Sequence, residues 1–156
     1  MNVLFVCVDC LRGDFVNTPY ADTPFIDQLV ADGTQFDSMY ATATTTTPAV
    51  ASFLTGRYSE HNGVNSLRDV ELADEATTLA TQLSEAGYHT RAMVTGPLVS
   101  DTGLDRGFDE YEYREDDEGV FGPWFDDALT RIESLPEPFF CYLHLWEIHH
   151  PIEVPD

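Results

Sequence analysis

Lysine is absent from this chain. All seven basic residues are Arg, against twenty-eight Asp and Glu, which gives a formal charge of −21 over 156 residues. A surface so short of positive charge repels phosphate backbones and anionic headgroups, so neither nucleic acid nor a membrane is an expected partner. Cysteine is scarce as well: Cys7, Cys10 and Cys141 are too few for a disulfide framework and fit a reducing compartment. Long apolar runs are missing. The opening run, Asn2 to Val8, is too short for a membrane span and has no basic stretch before it, so the expected location is cytoplasmic. No G-x-G-x-x-G or P-loop follows it, which counts against a nucleotide-binding domain. The acidic residues are scattered through patterned segments, which argues for a folded chain. A lysine-free acidic surface points to a halophilic protein, because high salt screens its self-repulsion.

What is present reads as one α/β domain over residues 1–156, with a largely parallel central sheet flanked by helices. Asn2 to Val8 is continuously apolar and rich in β-branched residues, the pattern of a strand buried on both faces. Thr23-Pro24 opens a helix with Phe25, Ile26, Leu29 and Val30 on one face, ending near Gly33. Thr34 to Tyr40 is read as a second strand. Tyr58 to Val64 is read as a polar turn. A helix from Thr77 or Thr78 to Gly87 leads into a strand at Thr90 to Val94, a βαβ-type succession. Asp101 to Gly119 is read as an exposed loop. Trp124 to Leu135 is an amphipathic helix with Phe125, Leu129 and Ile132 on one side, broken by Pro136 and Pro138. Phe139 to Trp146 is another buried strand.

The chemistry concentrates in Thr44-Thr45-Thr46-Thr47-Pro48, followed by an apolar stretch that ends at Gly56. Pro48 suits the first helical position, which makes Thr47 the expected N-cap and places Thr46 just outside a helix N-terminus. Free N–H groups there favour an anion, so the Thr46 hydroxyl is placed to attack or bind a sulfate or phosphate group. Asp9-Cys10 closes the first strand and His149-His150 follows the last, and parallel strands bring these two pairs to one edge. A carboxylate, a hydroxyl and an imidazole at one edge suit metal-assisted hydrolysis of an anionic ester. Asp9 would hold a hard divalent cation there. His144, inside a strand, reads as a hydrogen-bonded core histidine. Cys7-Val8-Asp9-Cys10 is a C-x-x-C, but alternation sends Cys7 into the sheet, away from the exposed helix start that reactive pairs use.

Taken in order, these segments resemble the N-terminal part of a sulfatase, in the alkaline phosphatase superfamily. Asn2 to Asp14 is similar to the family's opening strand with its Asp ligand. Thr46-x-Pro48 with Ala51 to Tyr58 resembles the nucleophile helix, and Thr78 to Thr90 the helix and strand after it. Arg106-Gly107-Phe108-Asp109 resembles a Gly-Phe-Asp turn, and Phe139 to Pro151 the strand bearing a substrate-binding His. The resemblance implies Thr46 as nucleophile, with Asp9, Thr46 and the Cys10 position at the metal. His149 and Thr47 would meet the substrate. It implies Ca²⁺ or Mg²⁺ ahead of Zn²⁺ or Mn²⁺.

The sequence departs from that pattern at defined places. Thr46 and Val50 stand where sulfatases carry a Cys or Ser and an Arg, so no formylglycine forms at that position. A Thr nucleophile resembles the phosphodiesterase and phosphotransferase branches. Cys10, a soft group, stands where a second Asp is usual. No Lys or His accompanies Thr95-Gly96-Pro97, and no later Asp-His-Gly segment is found. The chain is therefore expected to be a truncated portion of the family fold that is inactive alone. An exposed half-core would allow self-association, and a non-catalytic remnant that binds an anion or a partner chain is the alternative.

Overall fold

Four strands hydrogen-bond in parallel in the order β1-β4-β2-β3, where β1 is Val3–Val8, β2 His89–Val94, β3 Glu110–Tyr113 and β4 Phe139–Leu145. The computed structural model describes residues 1–16, 18–115 and 122–149. The helices are α1 Pro24–Asp32, α2 Thr46–Thr55, α3 Ser59–Asn62, α4 Leu79–Glu85 and α5 Pro123–Glu133. None among the described residues is long and apolar enough to cross a membrane.

Strand β4 lies between β1 and β2, and Phe140 to His144 are all buried, as expected of a central strand that is apolar apart from His144. Alternation then divides the side chains. On one face Phe5, Ala92, Val94, Phe140 and Tyr142 pack against Val50, Ala51 and Leu54 of α2 and Ala80 of α4. On the other, Met93, Cys141 and Leu143 meet Ala128, Trp124 and Ile132 of α5. The α4 start follows from Thr78, whose hydroxyl caps the Thr81 N–H at 3.0 Å. The turn before β3 crosses this helix start and needs Gly107 (φ +87°), because a Cβ there would sit 2.2 Å from the Thr81 backbone nitrogen.

Several sequence expectations are corrected. Strand β1 is not buried on both faces: Leu4 and Val6 are 50% and 44% exposed, because α5 packs over β2 and β4 and leaves this edge bare. Thr34 to Tyr40 forms no strand, and Phe36, Met39 and Tyr40 are exposed. The apolar face of α1 finds no partner among the described residues that buries it, with Phe25 and Leu29 largely exposed. The polar turn at Tyr58 to Val64 contains α3, whose Asn62 is fully buried and ties Arg57 O to the Val64 N–H. Within Asp101 to Gly119 the described residues include β3, and Thr102, Leu104 and Arg114 are buried; acidic composition concealed an edge strand whose Glu110 and Glu112 pair with Arg91. In α5 the packed stripe is Trp124, Ala128 and Ile132, while Phe125 and Leu129 face outward.

Candidate active site

Helix α2 begins two residues earlier than Pro48 suggests. Thr45, in extended conformation, is the N-cap and Thr46 the first helical residue, so Thr47 is not the cap. Pro48 is tolerated at the third position because first-turn N–H groups have no intrahelical acceptor to lose. The shift puts the Thr46 side chain on the helix end facing β1.

Strand register brings up the other half. Val8 pairs with Leu145 and Cys7 with His144, and the Asp9 N–H extends the ladder to Leu145 O at 2.8 Å. Cys7 and Asp9 therefore point to the same face as Tyr142 and His144, the face that α2 covers. Cys10, at φ +61°, then turns the chain away. The Thr46 hydroxyl donates to Asp9 Oδ2 at 2.8 Å, and the Cys10 thiol donates to Asp9 Oδ1 at 3.0 Å. His144 is buried with Nε2 3.4 Å from Asp9 Oδ2, longer than a well-formed hydrogen bond, and neither ring nitrogen has a hydrogen-bond partner among the described residues, so it is not the hydrogen-bonded core histidine expected. Sequence reasoning placed His144 in the core but missed its neighbour; the signal was its even spacing from Tyr142 on a strand paired with β1.

Asp9, Thr46, His144, Trp146 and His149 line one cleft of about 1100 Å³. The cleft continues along Phe5 and Phe53, whose ring centroids are 5.0 Å apart, with Tyr142 buried behind them 5.5 Å from Phe5. Thr47 does not line it: the residue is fully buried and its hydroxyl donates to Leu67 O at 3.0 Å. His150 lies outside the described residues.

Burial by itself pushes the Asp9 carboxyl up, but His144, Cys10 and Thr46 together outweigh it and hold it at about 2. The same pairing, aided by burial, raises the Cys10 thiol to about 11, and burial raises Cys7. Two protonated thiols are poor redox nucleophiles, which disfavours a C-x-x-C function. A protonated Cys10 is likewise a donor to Asp9 and no ligand for a hard cation.

The chemical capacity of the cleft is partial. Thr46 directs its proton at Asp9 and leaves its lone pairs for an electrophile. A carboxyl held at about 2 is, however, a weak proton acceptor, far from the range of an effective general base near neutrality. Its charge would also repel an anionic ester. Asp9 and Thr46 are oxygen donors of the type Ca²⁺ and Mg²⁺ prefer, but those ions take about six or more. No three His, Cys, Asp or Glu side chains converge to hold a metal among the described residues. The described residues therefore do not complete a metal centre.

A parallel sheet with a carboxylate at a strand end, facing a hydroxyl at a helix N-terminus, defines an α/β protein of alkaline-phosphatase-like architecture. The chain belongs to the sulfatase family, whose model matches residues 1–156. It is 39% identical over 121 residues to arylsulfatase G of Rattus norvegicus, covering 70% of this chain and 23% of that protein. It is 36% identical over 96 residues to an N-acetylgalactosamine-6-O-sulfatase of Bacteroides thetaiotaomicron, covering 57% and 19%. In fold it is similar to a 2-O GAG sulfatase (TM-score 0.77, 22% identity, 99% of this chain and 40% of that one). It is also similar to the phosphonate monoester hydrolase of Agrobacterium radiobacter (TM-score 0.81, 19% identity, 99% and 42%). The chain thus spans about a fifth of the length of these curated relatives and about two fifths of these solved structures. The family is generally metal-dependent.

Asp9 gives the site a pH signature. A carboxyl whose folded value lies below its unfolded one, about 4, stabilises the fold fully above that value and loses the contribution as pH falls toward 2. In chelator-treated protein, urea unfolding is expected to show wild type more stable than Asp9→Asn near neutrality, with the gap closing between about pH 4 and pH 2. A gap that is constant across that window contradicts the assignment.

Proposed function

We propose that this chain carries the nucleophile half of a metal-dependent hydrolase of sulfate or phosphate esters. The observation behind the reading is the hydrogen bond between Thr46 Oγ1 and Asp9 Oδ2 at the first residue of a helix opening on the cleft. In it, Thr46 attacks the sulfur or phosphorus, the alcohol departs, and water then releases sulfate or phosphate from the enzyme-bound ester. The Thr46 N–H, in the first turn of α2, receives the developing negative charge, while Thr47, buried behind the cleft, packs the helix start and does not meet the substrate. His149, in the turn after β4, faces the substrate. Asp9 and the Thr46 hydroxyl would be two ligands of a Ca²⁺ or Mg²⁺ ion, and the described residues bring no further cluster to it.

The phosphate side of this reading is favoured by Thr46 itself, which has no route to formylglycine; a phosphodiesterase or phosphotransferase is the form it takes there. On either side the chain is inactive by itself, because Asp9 is too weak a base and the positive charge is too sparse. Purified protein supplied with Ca²⁺, Mg²⁺, Mn²⁺ or Zn²⁺ is expected to leave aryl sulfates and phosphodiesters intact. Turnover that disappears in Thr46→Ala would overturn the inactivity while confirming the nucleophile. Turnover that survives that substitution would sink the nucleophile assignment.

The acidic composition supports a halophilic protein, the scarce cysteines fit a reducing, cytoplasmic compartment, and the bare apolar side chains of β1 and α5 (Leu4, Val6, Phe125 and Leu129) support self-association once charge is screened. From low salt to molar KCl, the melting temperature is expected to rise and the size-exclusion peak to move from monomer to dimer. Salt-independent melting counts against the first statement, and a monomer peak throughout against the second.

A further inference from the structure

The turn after β4 carries His149 on residues outside the ladder, and something must fix it. Arg114 directly follows β3 and is 4% exposed. Its backbone is tied to the end of β2: its N–H donates to Val94 O at 2.7 Å, and its carbonyl accepts from Thr95 Oγ1 at 3.0 Å. Its guanidinium lies over the Trp124 ring, 4.5 Å from the centroid, and forms an ion pair with Glu147. The other oxygen of that carboxylate, Oε2, accepts the Trp146 N–H at 2.9 Å.

From Trp146 the contacts run on to the imidazole. The indole presses on Gly96, where φ is +71° and a Cβ would lie 2.7 Å from Trp146 Cε3. Tyr113 donates to Gly96 O at 2.9 Å and so steadies that backbone. The His149 N–H donates to Trp146 O at 2.9 Å, and the two rings stack 3.8 Å apart at 15°. The ends of β2 and β3 thus brace the exit of β4. A buried ion pair stabilises a fold little compared with apolar packing of the same volume. What it supplies is geometry.

We propose that Arg114 is a positioning residue: through Glu147 it holds the Trp146–His149 turn, so that the imidazole faces the cleft in one orientation. The assignment rests on the hydrolase reading only in giving His149 a substrate to face. Removing the clamp frees the Trp146 peptide and separates the rings, even in protein that remains folded.

The test is ¹H NMR of the ring protons of the five histidines. Stacked on an indole, the His149 ring protons are expected well upfield of the other four, and His149→Asn identifies them by their loss. Arg114→Met and Glu147→Gln are expected to return them to ordinary positions while those of His61 and His89, remote from Trp146, stay unchanged, with Arg114→Lys retaining part of the shift. An upfield His149 signal that persists in Arg114→Met or in Glu147→Gln overturns the proposal. Should Arg114→Met fail to fold, Glu147→Gln decides, since its side chain is already 21% exposed. The two readings stay apart because the ring shift needs no ligand: effects of Asp9→Ala and Thr46→Val on urea unfolding that simply add would count against the hydrolase reading alone.

Discussion

Everything at the cleft depends on residue parity along two adjacent parallel strands. With Cys7 opposite His144, the side chains of Asp9 and His144 must fall on one face of the sheet. That is the face α2 covers. A one-residue slip of β1 would send Asp9 to the α5 side and leave Thr46 without its acceptor. The slip is resisted because it would also exchange Phe5 and Cys7, packed against the α2 side, for Leu4 and Val6. Core packing and site geometry are the same constraint.

The electrostatics of the cleft then explain why it is a half-site. The interactions that orient Asp9 also hold its carboxyl at about 2, so orientation is obtained at the expense of basicity. A carboxylate that stays charged beside the incoming ester calls for positive charge, and this chain, at −21 with no lysine, has little to give. Metal dependence in the family answers that need, and the described residues hold no complete ligand cluster for it. The Arg114–Glu147 pair stands apart from that shortage, spending one of seven arginines on the shape of a turn.

Much of this was legible in the residues, for reasons that can be named. A largely apolar run announced β4, the helix–Gly–strand succession announced β2, and Thr78 and Gly87 marked the limits of α4, because buried strands and capped helices have local signatures. Asp9 and Thr46 stood out as polar groups at element ends. What stayed hidden was set by neighbours. Strand β3 is Glu-Tyr-Glu-Tyr, and its pairing with β2 and Arg91 is invisible to local composition. The exposure of Leu4 and Val6 depends on where α5 ends. Thr47 resembled a cap because Pro48 fits a first helical position, yet an N-terminal turn accepts proline at its third position equally well. His144 beside Asp9 followed from register alone.

The most direct test of the account is a double-mutant cycle on Asp9→Ala and Thr46→Val, measured by urea unfolding at neutral pH in chelator. A hydroxyl bonded to a charged carboxylate predicts a coupling free energy of about 1.5 kcal/mol. Additive effects, with coupling indistinguishable from zero, would contradict the shared pocket and the hydrolase reading built on it.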